Sequence, residues 1–315
     1  MNVKSKVTRR SSLLQSVDDA VQILKSGGVC ALPTETVYGL AALASHDEAV
    51  ARIYEVKGRP SFNPLIVHCS SVKQAATVVR LDDCAGKLAA QFWPGAVTVV
   101  LEKQPEAAVS DLAAAGLETL AVRVSAHPLM RQVIEQVGAP LVAPSANKSG
   151  RLSPTLAEHV MEDFGDEVPV LDGGPCEAGI ESTIISLAKS RPTLLRPGAV
   201  DAATIEARLG HPLAAPGHGI EAPGMLSSHY APNAMLRLNA NEVTGDEVLL
   251  GFGGSAGAAL DLSPRGDVRE AAVNLFRFLR ELDGQSPRIA VAPIPDQGLG
   301  QAINDRLRRA AAPRA

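Results

Sequence analysis

No run of about 18 apolar residues occurs anywhere in the chain, so the sequence offers no membrane-spanning helix. Cysteine is scarce. Cys30, Cys69, Cys84 and Cys176 are far apart and form no C-x-x-C pair, which removes the usual signature of a zinc or redox centre. These thiols are expected to be reduced, buried and structural. An excess of positive charge is missing as well: 30 Lys and Arg stand against 34 Asp and Glu, a formal net charge of −4. That balance argues against a protein whose main task is non-specific nucleic-acid binding, though it leaves room for a local basic cleft. The start, MNVKSKVTRRSS, is basic, but an amphipathic segment with Asp18 and Asp19 follows it rather than the apolar core of a signal peptide. A cytoplasmic protein without membrane contact is expected. Internal repeats are absent, and low complexity is confined to an alanine-rich tail.

What is present points to two folded domains. The 315 residues exceed what one hydrophobic core usually organises, and 46% hydrophobic with 20% charged residues is a globular balance. Residues Ser16 to Ser26 place Val17, Ala20, Val21 and Leu24 at helical spacing, with Ser16 as N-cap and Gly27 as the stop. After them VCALP, PLIVHC, AVTVVLE, LAVRV, PLVAPS, VPVLD, STIISL and TLLRP read as strands. Helices are expected to begin near Asp47, Ser71, Asp82, Pro128, Thr155 and Asp201. This alternation predicts an α/β domain over 10–213. Over 214–243 the pattern gives way to Pro, Gly and polar residues, the composition of a linker or a functional loop. A small α/β domain over 244–315 is predicted from EVLLGFG and RIAVAPIP as strands, a helix capped by Asp267 and Glu270, and a last helix in GQAINDRLRRAA.

Two phosphate-binding signatures fail. Gly86-Lys87 lacks the upstream Gly and the following Ser or Thr of a P-loop. Gly251, Gly253 and Ala256 fit G-x-G-x-x-A after a strand, but GAALDLSPRGD stands where the helix is required, so a flexible glycine loop is the better reading. No Ser-His-Asp or metal-ligand constellation is evident. The informative segments are PTETVYGL, KGRPSFNPLIVH, WPGAVT, LAVRVSAHP, APSANKSG, GIESTII and LLRPG, followed by SHYAPN in the linker.

In this order, over about residues 12 to 200, they resemble the threonylcarbamoyl-AMP synthase family, and SHYAPN is similar to its longer, two-domain branch. The resemblance implies a YrdC-like α/β catalytic domain with a twisted mixed sheet, and a second, smaller Rossmann-like α/β domain. It implies that threonine's amine captures bicarbonate as a carbamate. The carbamate oxygen then attacks the ATP α-phosphate, expels pyrophosphate and leaves threonylcarbamoyl-AMP for tRNA modification. ATP is then a substrate, arriving with Mg2+, and no protein metal ligands are predicted. Weak binding of tRNA or double-stranded RNA and a transient contact with the downstream tRNA threonylcarbamoyltransferase are further implied partners. Two other functions compete: an RNA-binding module without catalysis, and a carbamoyl-transfer domain of the hydrogenase-maturation type, which would bring cysteine pairs and further domains.

Such chemistry needs fixed cations and many neutral donors, because the charge in a phosphoryl-transfer transition state spreads over several oxygens. Lys57, Arg59, Arg123 and Arg196 each interrupt an otherwise apolar motif. Carried over residue by residue, the resemblance makes Lys57 and Arg59 catalytic and ATP-binding. It assigns Asn63, Thr119, Ser145, Asn147, Ser153 and Arg196 to ATP, and Thr36, His68, Arg123 and Ser182 to threonine. Plainer readings stand beside these. Lys57 could serve its helix C-terminus, His68 could be a satisfied core residue, and Arg123 could pair with an internal carboxylate. The hydroxyl and amide groups of the APSANKSGRLSPT loop could satisfy local backbone. Glu35 and Glu181 are secondary candidates for proton transfer. His229 and Tyr230 are read as a lid on ATP whose removal leaves thermal stability nearly unchanged. Ser227, where relatives often carry an aromatic residue, weakens the prediction of how that segment docks.

Overall fold

The structure, a computed structural model, describes residues 12–313 apart from 190, 218, 220, 226 and 227. The basic start and Ser227 lie outside the described residues. Strand β1 (Leu13–Leu14) leads into α1 (Val17–Lys25), which opens with a reciprocal cap: Ser16 accepts from the Asp19 amide, and the Asp19 carboxylate accepts from the Ser16 amide. There follow β2 (Cys30–Leu32), β3 (Gly39–Leu43), α2 (Asp47–Lys57), β4 (Ile66–Cys69), α3 (Val72–Ala75), α4 (Asp83–Phe92), β5 (Val97–Glu102), α5 (Asp111–Ala114) and β6 (Thr119–Val124). Then come α6 (Pro128–Val137), β7 (Leu141–Val142), α7 (Ala157–Phe164), β8 (Val170–Leu171), β9 (Thr183–Ser186), β10 (Thr193–Arg196) and α8 (Ala202–Leu209). Ser71, Asp82 and Asp201 cap their helices with side-chain oxygens, at the starts the sequence predicted.

The ten strands form one mixed sheet in the order β1-β8-β2-β3-β7-β4-β6-β5-β9-β10. Its centre is buried on both faces. Along β2, Cys30 and Leu32 face a core with Leu24, Met130 and Ile134 from α1 and α6, whereas Ala31 faces the core that holds Ile53 and Leu88 from α2 and α4. Strand β3 was not expected. Its sequence GLAAL has neither β-branched nor aromatic residues, and it is a strand because Gly39 lets the backbone lie against Ala143, where an added Cβ would meet the Ala143 Cβ at 3.0 Å.

The second sheet, β11 (Met235–Arg237), β14 (Arg288–Val291), β12 (Val248–Gly251) and β13 (Leu260–Asp261) in that order, is wholly parallel. It packs with α9 (Val268–Asp283) and α10 (Leu299–Ala311). Strand β11 falls inside the stretch 214–243 read as linker, because three residues, two of them exposed, carry little period-2 signal. The glycine loop after β12 is closed from within: the Asp261 carboxylate accepts the amides of Gly254 and Ser255, both at 3.0 Å, where a dinucleotide phosphate would have to sit. One apolar cluster crosses between the sheets and joins Val37, Leu152 and Ile180 to Tyr230, Leu275 and Phe276. No helix among the described residues is long and apolar enough to cross a membrane.

Candidate active site

The cleft lies where the β2–β3 turn, β4, β6, the loop after β7, and β9 and β10 converge with Pro223, Gly224, His229 and Tyr230. It is narrow, with a cavity volume of about 40 Å³. The turn from Pro33 to Tyr38 is held by Thr34, whose hydroxyl donates to the Val37 carbonyl at 2.7 Å and accepts the amides of Thr36 and Val37. That fold directs Thr36 at Arg123, which donates to its hydroxyl at 2.9 Å and to the Gly95 carbonyl at 3.0 Å. Arg123 Nη2 also lies 2.7 Å from Glu35 Oε1. The internal carboxylate considered above is therefore real. Burial alone would raise the Glu35 carboxyl, but the charge and hydrogen bonds of Arg123 and the Ser125 hydroxyl bring it down to about 2.

His68 sits beside Arg123 in the parallel β4–β6 register, and both are buried. Burial, then the Arg123 charge, push the imidazole down to about 3. Ser182 lies 2.7 Å from Thr98 across β9 and β5. Arg196 donates to the Ser182 carbonyl and hydroxyl and to the Pro223 carbonyl. Thus Thr36, His68, Arg123 and Ser182 meet in one cleft with Arg59, Ser145, Arg196, His229 and Tyr230.

Lys57 does not serve its own helix. Gly58, left-handed at φ 60°, ends α2, and Lys57 Nζ reaches the carbonyls of Ser145 and Asn147 at 2.6 and 2.5 Å. Arg59 bends back onto the carbonyls of Asn63 and Pro64. Burial depresses both cations, Lys57 well below the ordinary ammonium range and Arg59 to about 10. Among the described residues Lys57, Arg59 and Arg196 bond to carbonyls and hydroxyls, with no carboxylate in ion-pair contact.

Lys57 does not line the cleft, and Asn63, Thr119, Asn147 and Ser153 also stand back from it. Asn147 ties its loop by donating to the Lys148 and Arg151 carbonyls, and Ser153 donates to Glu181 at 2.5 Å. Asn63 is buried, with Oδ1 unpartnered. Thr119 begins β6, four residues or about 13 Å from Arg123 along the strand, and does not line the cleft. The sequence reading missed Thr34, Gly224 and Arg306. At Gly224 the positive φ and the crowding both require glycine, since a Cβ would meet the Tyr230 hydroxyl at 2.7 Å and Arg196 Cδ at 2.9 Å. The P-G dipeptide was its only signal. Arg306 had none, being one arginine among several in an amphipathic helix.

Two family models divide the chain: one described as Telomere recombination matches residues 22–198, and one described as Threonylcarbamoyl-AMP synthase, C-terminal domain, matches 200–312. The threonylcarbamoyl-AMP synthase of Bacillus subtilis is 38% identical, over 94% of this chain and 92% of that protein. The chain belongs to the threonylcarbamoyl-AMP synthase family. The Pyrococcus abyssi member is 39% identical, over 92% of both proteins. The crystal structure of P. abyssi Sua5 complexed with L-threonine superposes with a TM-score of 0.87 at 37% identity, covering 94% of each chain. The family's two-part organisation thus extends over nearly the whole chain.

One consequence of the chain's buried histidines concerns acid. His68 and His159 are pushed down to about 3, and His229 well below 6.5, in each case first by burial. In the unfolded chain they take up protons near pH 6.5, so stability is full above that pH and is lost as pH falls towards 3, at about 1.4 kcal/mol per pH unit per group. Thermal unfolding followed from pH 7 to 5 should show Tm falling steadily. A flat Tm over that window would mean these imidazoles are hydrated.

Proposed function

We propose that this chain condenses L-threonine, bicarbonate and ATP to threonylcarbamoyl-AMP and pyrophosphate, for threonylcarbamoyladenosine modification of tRNA in the cytoplasm. The observation that carries the reading is the imbalance of buried charge. Arg59 and Arg196 line the cleft, are each less than a tenth exposed and have no carboxylate in ion-pair contact, so a bound polyanion is what would compensate them. ATP phosphates fit that need, with Lys57 and Arg59 at the phosphoryl group and Arg196, Ser145 and Asn63 along the nucleotide. Arg123, Thr36, Ser182 and neutral His68 offer a carboxylate, a hydroxyl and an amine the donors and acceptor that threonine requires. Catalysis follows from holding carbamate and α-phosphate in line and from charge neutralisation, with no covalent nucleophile. In this proposal Mg2+ enters as MgATP.

The decisive experiment incubates the purified chain with all three substrates and with each omitted in turn. Threonylcarbamoyl-AMP and stoichiometric pyrophosphate should form only in the complete mixture. An AMP-linked product formed without threonine would remove the proposed chemistry, and an RNA complex with no product would favour the binding-module reading.

A further inference from the structure

Arg306 on α10 is the largest fully buried side chain among the described residues and belongs to the second domain, yet two of its three hydrogen-bond partners, Glu181 and Pro197, lie in the first. Its Nε donates to Glu181 Oε2 at 2.8 Å and its Nη1 to the Pro197 carbonyl at 2.8 Å, and its guanidinium carbon lies 5.1 Å from the centroid of the Tyr230 ring. The remaining contact, to neighbouring Asp305 at 2.8 Å, fixes the guanidinium from its own helix. The far oxygen of Glu181 accepts the Ser153 hydroxyl. On the same helix, the Arg309 carbonyl accepts the His229 amide at 3.2 Å.

Glu181 is the reason this arrangement bears on function. It lines the cleft with Arg196, and the two charges feel each other. A carboxylate free to turn onto Arg196 would neutralise a cation the nucleotide needs, and such pairing in a buried site is strong. Arg306 and Ser153 instead engage one oxygen each, so Glu181 is occupied and Arg196 stays available.

We infer that Arg306 is a positioning residue for ATP: it holds the Glu181 carboxylate away from Arg196 and ties the His229–Tyr230 segment to the docked second domain. The inference rests on the function proposed above. It gives the second domain a role in the chemistry of the first, completing a site none of whose lining residues comes from 244–315.

The test compares full-length Arg306→Met, Arg306→Lys, Glu181→Gln and the Arg306→Met/Glu181→Gln double variant. Steady-state constants are measured for ATP and threonine separately, and ATP affinity by calorimetry. Arg306→Met should raise KM and Kd for ATP by about tenfold or more, with threonine KM moved by less than about threefold. Adding Glu181→Gln should return the ATP constants to within about threefold of Glu181→Gln alone, because no carboxylate remains to compete for Arg196. Unchanged ATP constants in Arg306→Met, equal rises for ATP and threonine, or no rescue in the double variant would each make Arg306 a domain clamp only. Should Arg306→Met fail to fold, Arg306→Lys decides: it keeps the charge but not the forked contact, so a rise in ATP Kd sustains the inference and an unchanged Kd overturns it. Absence of threonine-dependent product in the unsubstituted chain would sink the proposed function, and the calorimetric ratios would still judge Arg306.

Discussion

Arg123→Met should destabilise the fold by about 3–5 kcal/mol and lower kcat/KM for threonine by about a hundredfold or more, and adding Glu35→Gln should restore the first and not the second. The prediction follows from the double role of Arg123. Its side chain and that of Glu35 are 3% and 10% exposed and 2.7 Å apart, so removing the guanidinium leaves a carboxylate buried without its counter-charge. Replacing both by neutral groups of similar size removes that penalty, and buried pairs replaced in this way commonly cost little. Thr36 loses its donor in either case, and a threonine carboxylate loses its cation. Denaturant unfolding reads the stability and steady-state kinetics read the threonine dependence. If the double variant recovers both, Arg123 is a structural ion pair and the amino-acid carboxylate binds elsewhere.

The same residues show how far the sequence could be read. A charge inside LAVRV had to find a buried anion, and both candidates were visible beforehand: an internal Glu or a ligand. Which acidic residue reaches it depends on the turn folded by Thr34, and a pairing 88 positions apart has no local signature. The strands that position the site were legible wherever β-branched residues dominate, as in β4, β5, β6 and β9. β3 was not, being built of Gly, Leu and Ala, nor were β11 and β13, too short to show a period. Helix starts were clear because Ser and Asp caps are chemical signals at fixed positions. Lys57 shows the limit of local logic: its place at the end of α2 suggested service to the helix terminus, while the folded chain sends it to carbonyls some ninety residues away. Motif order carried the site assignment further than spacing could, since it links residues that only the mixed sheet brings together.

His229→Ala should leave ATP consumption running while the yield of threonylcarbamoyl-AMP per ATP falls by about tenfold, equivalent to about 1.4 kcal/mol of lost protection against water. The segment that carries it is not a loose flap. Tyr230 is fully buried and packs 5.7 Å from Phe276, so Tyr230→Ala alone should cost about 3–5 kcal/mol of stability. That burial argues against the expectation that removing the pair leaves thermal stability nearly unchanged. Tyr230→Phe keeps the ring and removes the hydroxyl that crowds Gly224, and it separates the two roles cleanly. The proposed function makes His229 the cover: its ring lies 4.1 Å from that of Tyr230, and burial followed by the charges of Arg59, Lys57, Arg196 and Arg306 keeps it neutral. On the proposed function, a neutral imidazole would cover the proposed phosphate-binding cations without adding to their repulsion, and would shut out the water that hydrolyses a carbamate or a mixed anhydride. The measurement is product formed against ATP consumed, in His229→Ala and in Tyr230→Phe, with Tm recorded for each. Full yield per ATP in His229→Ala at unchanged Tm would reduce residues 223–230 to a tether between the domains.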